Sequence, residues 1–171
     1  MVVGDVGVMR RAVACIGGGL AVRPVPSPQL PADWPGDTVP VWQVPGLPPD
    51  LASVPFGRID ARAGAAAAAC IEAAVRVVRA GQASAIVTAP IHKEALAAAG
   101  VPYPGHTEML QALSVDAGAP LPPVRMMLAN DELRTVLVTI HVSLRRAIDA
   151  VTFDAVLDTV RIAHAAAARW G

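Results

Sequence analysis

Three short segments concentrate the residues able to do chemistry: Thr88-Ala89-Pro90-Ile91-His92-Lys93, Pro104-Gly105-His106-Thr107-Glu108 and Thr139-Ile140-His141. In the second, Pro-Gly makes a turn and a helix is expected to open at about Thr107. The free N–H groups of its first turn, a hydroxyl and an imidazole then point the same way, which suits an anion such as phosphate. The first and third segments each end an apolar run, and in parallel α/β sheets ligands gather outside the carboxyl ends of strands. If those two strands are near neighbours, His92, Lys93 and His141 face one crevice.

Each of these residues also has a plainer role. Thr107 fits a helix N-cap, His106 a surface turn, and His141 a hydrogen bond to nearby backbone, because a metal site needs three or four ligands. His92 and Lys93 fit a solvated first helical turn, and Arg145-Arg146 a solvated pair. Met126-Met127 reads as core, and His164 as a core or dimer-face histidine. No Gly-x-Gly-x-x-Gly follows a strand and no Walker loop is present. No Cys–His cluster has structural-zinc spacing, and neither Ser114 nor Ser143 lies in a nucleophile motif.

The elements that must position these groups alternate. Met1 to Asp5 reads as the end of a short buried strand entering a turn, which implies chain upstream. Val8 to Ile16 is helical and stops at Gly17-Gly18-Gly19. Residues 24–55 hold most of the sixteen prolines. They predict an irregular extended segment with short edge strands around Val39 to Val44, pinned by Trp34, Trp42 and Phe56. Ala61 to Ala80 predicts an alanine-rich helix with Ile71, Val75 and Val78 on one face, closed by Gly81. Ser84 to Thr88 predicts a compact apolar strand, and Ile91 to Ala99 a helix stopped by Gly100. Arg134 to His141 predicts a strand buried on both faces. Thr152 caps a last helix with Phe153, Val156, Leu157, Val160 and His164 in one stripe. Strand, turn and helix in repetition predict a single partial α/β unit over residues 1–171 with a largely parallel sheet.

Composition narrows the function. The chain has 171 residues, 54% of them hydrophobic and 16% charged, which argues against disorder. Much of the apolar share is alanine, which favours helix but buries little area. Lys and Arg number 14, as do Asp and Glu. With no basic stripe, nucleic acid is not an expected partner. No apolar run is long enough to cross a bilayer, and the first residues do not form a secretory signal. Cys15 and Cys70, without framework spacing, fit buried thiols of a reduced, cytoplasmic protein.

Taken together, Ile86 to Lys93, Gly105 to Glu108, Met126 to Ala129 and Thr139 to Arg145, in that order, resemble the 4-hydroxythreonine-4-phosphate dehydrogenase family of vitamin B6 (pyridoxal phosphate) synthesis. Val3-Gly4-Asp5 and Phe56-Gly57 with Gly64 also fit, so the likeness runs nearly the whole length. It implies an α/β/α fold like isocitrate and isopropylmalate dehydrogenases, here as an incomplete parallel or mixed sheet flanked by helices. It implies a homodimer with the site at the subunit interface. It implies oxidation of 4-phosphooxy-L-threonine by NAD and decarboxylation to 3-amino-2-oxopropyl phosphate. By matching position, His106 and Thr107 bind substrate and His141 is one of three histidines on a divalent metal (Zn, Mg, Mn or Co). Lys93 matches a family lysine without a firm role. The family's Gly-Asp/Glu-Pro-Ala-Gly-Ile-Gly-Pro opening and its Asn-Pro-His-Ala-Gly-Glu segment are absent. The remaining metal histidines and most of the NAD site belong with that absent part, so this chain alone is expected to be inactive. Two alternatives remain. One is a dehydrogenase for a related phosphorylated hydroxy acid (phospho-threonate or phospho-erythronate, or a diol from aromatic breakdown). The other is a non-catalytic metabolite-binding fragment.

Overall fold

The structure is a computed structural model and describes residues 1–29 and 33–168. The chain divides into two compact units, Met1–Ala119 and Pro120–Gly171. Both belong to the expected α/β class.

The first unit opens with β1 (Val2–Gly4), α1 (Val6–Ile16), β2 (Ala21–Val25) and β3 (Thr38–Gln43). Asp5 starts α1 by accepting the Val8 N–H at 2.8 Å, and Gly17 ends it in the left-handed region at φ 68°. The three strands form a parallel sheet in the order β1-β3-β2. Two expectations for residues 24–55 are corrected here. β2 begins before this segment and runs into it, and β3 is the central strand rather than an edge. Proline is tolerated because of where it falls. Pro24 lies on edge strand β2, and Pro40 precedes Val41, where β1 begins to pair, so β3 has a ladder partner on one side only at that level. Trp34 bonds within the segment rather than to the body, donating from Nε1 to the Thr38 carbonyl at 3.2 Å. Phe56 is exposed but stacks under the Arg11 guanidinium, 3.8 Å from the ring centre.

α2 (Ala61–Arg79), capped by Asp60, matches the expected alanine-rich helix. Its Ile71 and Val75 are buried with Ala68 against Leu96 of α3 (Lys93–Ala98) and Met109 of α4 (His106–Leu113). Leu96 is wholly buried. Gly64 allows this packing, because a Cβ there would overlap the Ala95 carbonyl. At the other end of α2, Arg79 donates to the Leu113 and Val115 carbonyls and pairs with Asp116, holding the end of α4.

Ser84 to Thr88 is not a strand. Its composition suits one, but a strand exists only where a neighbour supplies backbone partners, and no described residue does so. Val87 is 97% exposed.

The second unit holds β4 (Met127–Ala129), β5 (Arg134–Val136), α5 (Leu144–Ala150) and α6 (Phe153–Ala167). The long buried strand expected over Arg134 to His141 is corrected. Only three residues pair, antiparallel to β4, and they are not buried. A bend follows, and His141 adopts φ 55°, which no strand residue does. Asn130 builds the hairpin, its side chain accepting the N–H groups of Glu132 and Leu133. Met126 and His164 are exposed and Met127 half-buried, so none of them is core. Thr152 caps α6 as expected, but Phe153, Val156 and Val160 of its apolar stripe are exposed. The buried residue of α6 is instead Thr159, which accepts from Arg125 Nε at 2.8 Å.

Gly64→Ala is expected to destabilise the first unit by about 2 kcal/mol through overpacking against α3. Gly36→Ala, where an added methyl meets open space, serves as the neutral control. Urea midpoints of the two variants check this.

Candidate functional site

The start of α4 is the most reactive-looking backbone in the first unit. Gly105 occupies the N-cap position with an extended backbone at φ −175°, and no side chain caps the helix. The first helical bond runs from the Met109 N–H to the Gly105 carbonyl at 3.3 Å. The N–H groups of His106, Thr107 and Glu108 precede that bond and head the helix dipole. The helix opens at His106, so Thr107 is not its cap. Its exposed hydroxyl is free of that duty. The Lys93 Cε lies 3.6 Å from where a Gly105 Cβ would sit, and Glu108 Oε2 lies 3.7 Å from the same point. A lysine side chain and a carboxylate therefore both approach the helix start. Gly105 is buried, and a Cβ there would make ordinary contacts with these two side chains.

His106 is half-buried and lines a cavity of about 580 Å3 together with Thr88, Pro90, Ile86 and Ile91. The first two chemistry-bearing segments are thus brought together, with Thr88-Ala89-Pro90 and His106 lining one cavity. His92 is drawn away from that role. It is the N-cap of α3, and its Nδ1 accepts the Ala95 N–H at 3.4 Å. Lys93 is the first residue of α3 and is exposed. His141 belongs to the second unit, is exposed, and holds the left-handed backbone that non-glycine residues adopt mainly at special sites. Among the described residues no three His, Cys, Asp or Glu side chains converge as a metal site would require.

The sequence reading missed Gln43. Its Nε2 donates to Asp5 Oδ2 at 3.0 Å and its Oε1 accepts the Val6 N–H at 2.8 Å. That clamp ties the carboxyl ends of β1 and β3 to the start of α1. Asp5 was legible as a polar residue between a strand and a helix, but a glutamine at the end of a Pro-rich run carries no local signal. A second cavity of about 430 Å3 lies beside Asp5 and is lined by Arg11, Leu51, Phe56 and Cys70. The Cys70 thiol is pushed up to about 11, first by burial and then by the nearby Asp5 charge. Cys15 is exposed, which corrects the expectation of two buried thiols.

A difference in alkylation follows. At pH 8 about one Cys70 in a thousand is thiolate. Iodoacetamide should therefore modify Cys15 and leave Cys70 intact until the chain is denatured or the pH approaches 11. Peptide mass mapping reads the outcome, and equal labelling of both thiols in the folded chain at pH 8 contradicts it.

Known proteins match along the whole chain. The family described as "Pyridoxal phosphate biosynthetic protein PdxA" matches residues 1–171. A 4-hydroxythreonine-4-phosphate dehydrogenase of Beijerinckia indica subsp. indica is 45% identical over 172 residues, covering 100% of this chain and 48% of that protein. A D-threonate 4-phosphate dehydrogenase of Cupriavidus necator is 37% identical, covering 100% and 49%. The crystal structure of a 4-hydroxythreonine-4-phosphate dehydrogenase from Burkholderia phymatum superposes with a TM-score of 0.79 at 37% identity, covering 94% of this chain and 46% of that one. The Klebsiella pneumoniae enzyme of the same name gives 0.79 at 32% identity, covering 95% and 47%. The chain spans about half the length of the curated relatives it matches. It belongs to the PdxA family of pyridoxal phosphate biosynthetic proteins.

Proposed function

We propose that this chain supplies the phosphate-gathering part of a dehydrogenase acting on a small phosphorylated hydroxy acid. The reaction is oxidation of the C3 hydroxyl of 4-phosphooxy-L-threonine. Hydride passes to NAD, the hydroxyl proton leaves, and the resulting β-keto acid loses carbon dioxide to give 3-amino-2-oxopropyl phosphate. One observation carries the reading: the uncapped start of α4, with His106 in a cavity wall, in a chain similar throughout to proteins named for this substrate. Phosphate accepts from the N–H groups at the head of α4, from the Thr107 hydroxyl and from the His106 imidazole, and Lys93 offsets its charge. Glu108 opposes the anion and narrows where it can sit.

His141 is proposed as one of three histidines on a divalent metal, supported by its left-handed backbone. A divalent metal would supply Lewis-acid polarisation of the substrate oxygen. Among the described residues no three His, Cys, Asp or Glu side chains converge, so they do not by themselves fit the ion. NAD as hydride acceptor, a homodimer with a shared site and a cytoplasmic location belong to the same proposal. So does the view that both units are parts of one α/β unit. No described helix is long and apolar enough to cross a membrane.

The 37% identity to the Cupriavidus enzyme favours a second substrate, D-threonate 4-phosphate. The two acids share the phosphate end and differ at C2, which the α4 site does not touch.

The chain alone is expected to bind 4-phosphooxy-L-threonine without forming NADH, even with metal added. Thr107→Val and His106→Ala should each weaken binding about tenfold, the effect of losing one hydrogen bond to a charged group, as read by calorimetry. Unchanged affinity in both variants removes the site from α4. Robust NADH formation overturns the view that one half of the family length is insufficient.

A further inference from the structure

The α4 site makes no use of the cavity of about 430 Å3 beside Asp5. Gly4 and Asp5, at the carboxyl end of β1, and Leu47, in the loop leaving β3, line it. Open parallel sheets take their ligands at that end. Most of the remaining lining is apolar. Its charged side chains are Asp5, Arg11 and Arg58, two guanidinium groups against one carboxylate. Asp5 is already engaged, because Oδ1 accepts the Val8 N–H and Oδ2 accepts from Gln43 Nε2. Neither arginine has an ion-pair partner among the described residues.

Arg11 is tied down. Its Nη1 donates to the Ala52 and Val54 carbonyls at 2.8 and 2.5 Å, and its guanidinium lies over the Phe56 ring. Those hydrogen bonds use a single nitrogen. Nε and Nη2 have no partner among the described residues. Together they form the edge of a guanidinium that offers two parallel N–H groups to a carboxylate. A fork already fixed in place loses little side-chain freedom on binding. Phe56 remains 71% exposed despite the stacked guanidinium, so its ring has apolar surface left to bury.

We propose that this cavity binds a small carboxylate with an apolar, ring-sized body, of the arylacetate kind. The carboxylate takes the Nε–Nη2 edge of Arg11, and Arg58 adds positive charge. The body packs on Phe56 and the apolar lining, in a cavity of the size that suits one small molecule. No residue of the α4 site takes part, so the proposal stands or falls separately from phosphate binding there.

Calorimetry of the intact chain with phenylacetate tests this, with phenylacetamide and inorganic phosphate as comparison probes. Phenylacetate is expected to bind one to one. The other two should bind more weakly by about tenfold or more, since one lacks the charge and the other the apolar body. Arg11→Lys keeps the positive charge but loses the fork, and should weaken phenylacetate binding about tenfold. Arg11 also supports the Ala52 and Val54 carbonyls, so two further variants leave those bonds alone. Ala63→Leu adds bulk to the lining from an exposed helix position and should abolish binding with the Tm unchanged. Arg58→Gln, at an exposed residue, should weaken binding about threefold. If Ala63→Leu lowers the Tm, Arg58→Gln and the amide comparison decide alone. Absence of phenylacetate binding overturns the proposal. So does equal affinity for phenylacetamide, which reduces the cavity to an apolar groove, or equal affinity for inorganic phosphate. Binding that survives Ala63→Leu, or that is unchanged in both Arg11→Lys and Arg58→Gln, overturns it as well.

Discussion

The contact between Gly64 and the backbone of Ala95 sets the geometry of the first unit. No side chain separates α2 from α3 there, so the two helices meet at a distance that only glycine permits. Leu96, next in sequence, then becomes wholly buried, and Met109 of α4 closes on the same cluster. The chain leaves α3 through Gly100, in the left-handed region at φ 74°, and returns through the Gly105 turn to begin α4. The place of His106 is thus fixed by a backbone contact at the far end of another helix. The chemistry at the head of α4 depends on packing that has no chemistry of its own.

Alanine governs how firmly that packing holds. The buried residues of α2 include Ala66, Ala68 and Ala73 beside Ile71, Val75 and Val77. Small side chains let elements approach closely but remove little apolar area from water. Large apolar side chains are correspondingly exposed elsewhere. In the second unit Leu128, Leu133, Leu144, Ile148 and Phe153 all face solvent.

Within the site the decisive difference lies between capping and binding. His92 and Thr107 look alike in sequence, each a polar residue just before or at a helix start. His92 spends its imidazole nitrogen on the Ala95 N–H. Thr107 lies one residue inside α4, where Gly105 already occupies the cap position without a side chain to fill it. One helix start is therefore satisfied internally, and the other presents its N–H groups outward. Asp5 and Gln43 satisfy the start of α1 in the first manner, from two strands at once.

Sequence alone determined what short-range periodicity and local stereochemistry control. The α2 helix, the glycine stop after α1, the Thr152 cap and the turn at Pro104-Gly105 were all legible, whereas the meeting of Thr88, Pro90 and His106 along one cavity was not, because it joins segments remote in the chain. Four ordered blocks of residues were enough to indicate the family. Tertiary structure decided whatever required a partner remote in the chain. It made the proline-containing β3 a central strand, because β1 and β2 chose it as neighbour. It denied Ser84 to Thr88 a ladder, because none of the described residues lies alongside to pair. It turned Arg134 to His141 into a short hairpin arm and a bend, because β4 is only three residues long. Helical hydrogen bonds close within four residues and are written locally, whereas a strand is completed by whatever lies beside it.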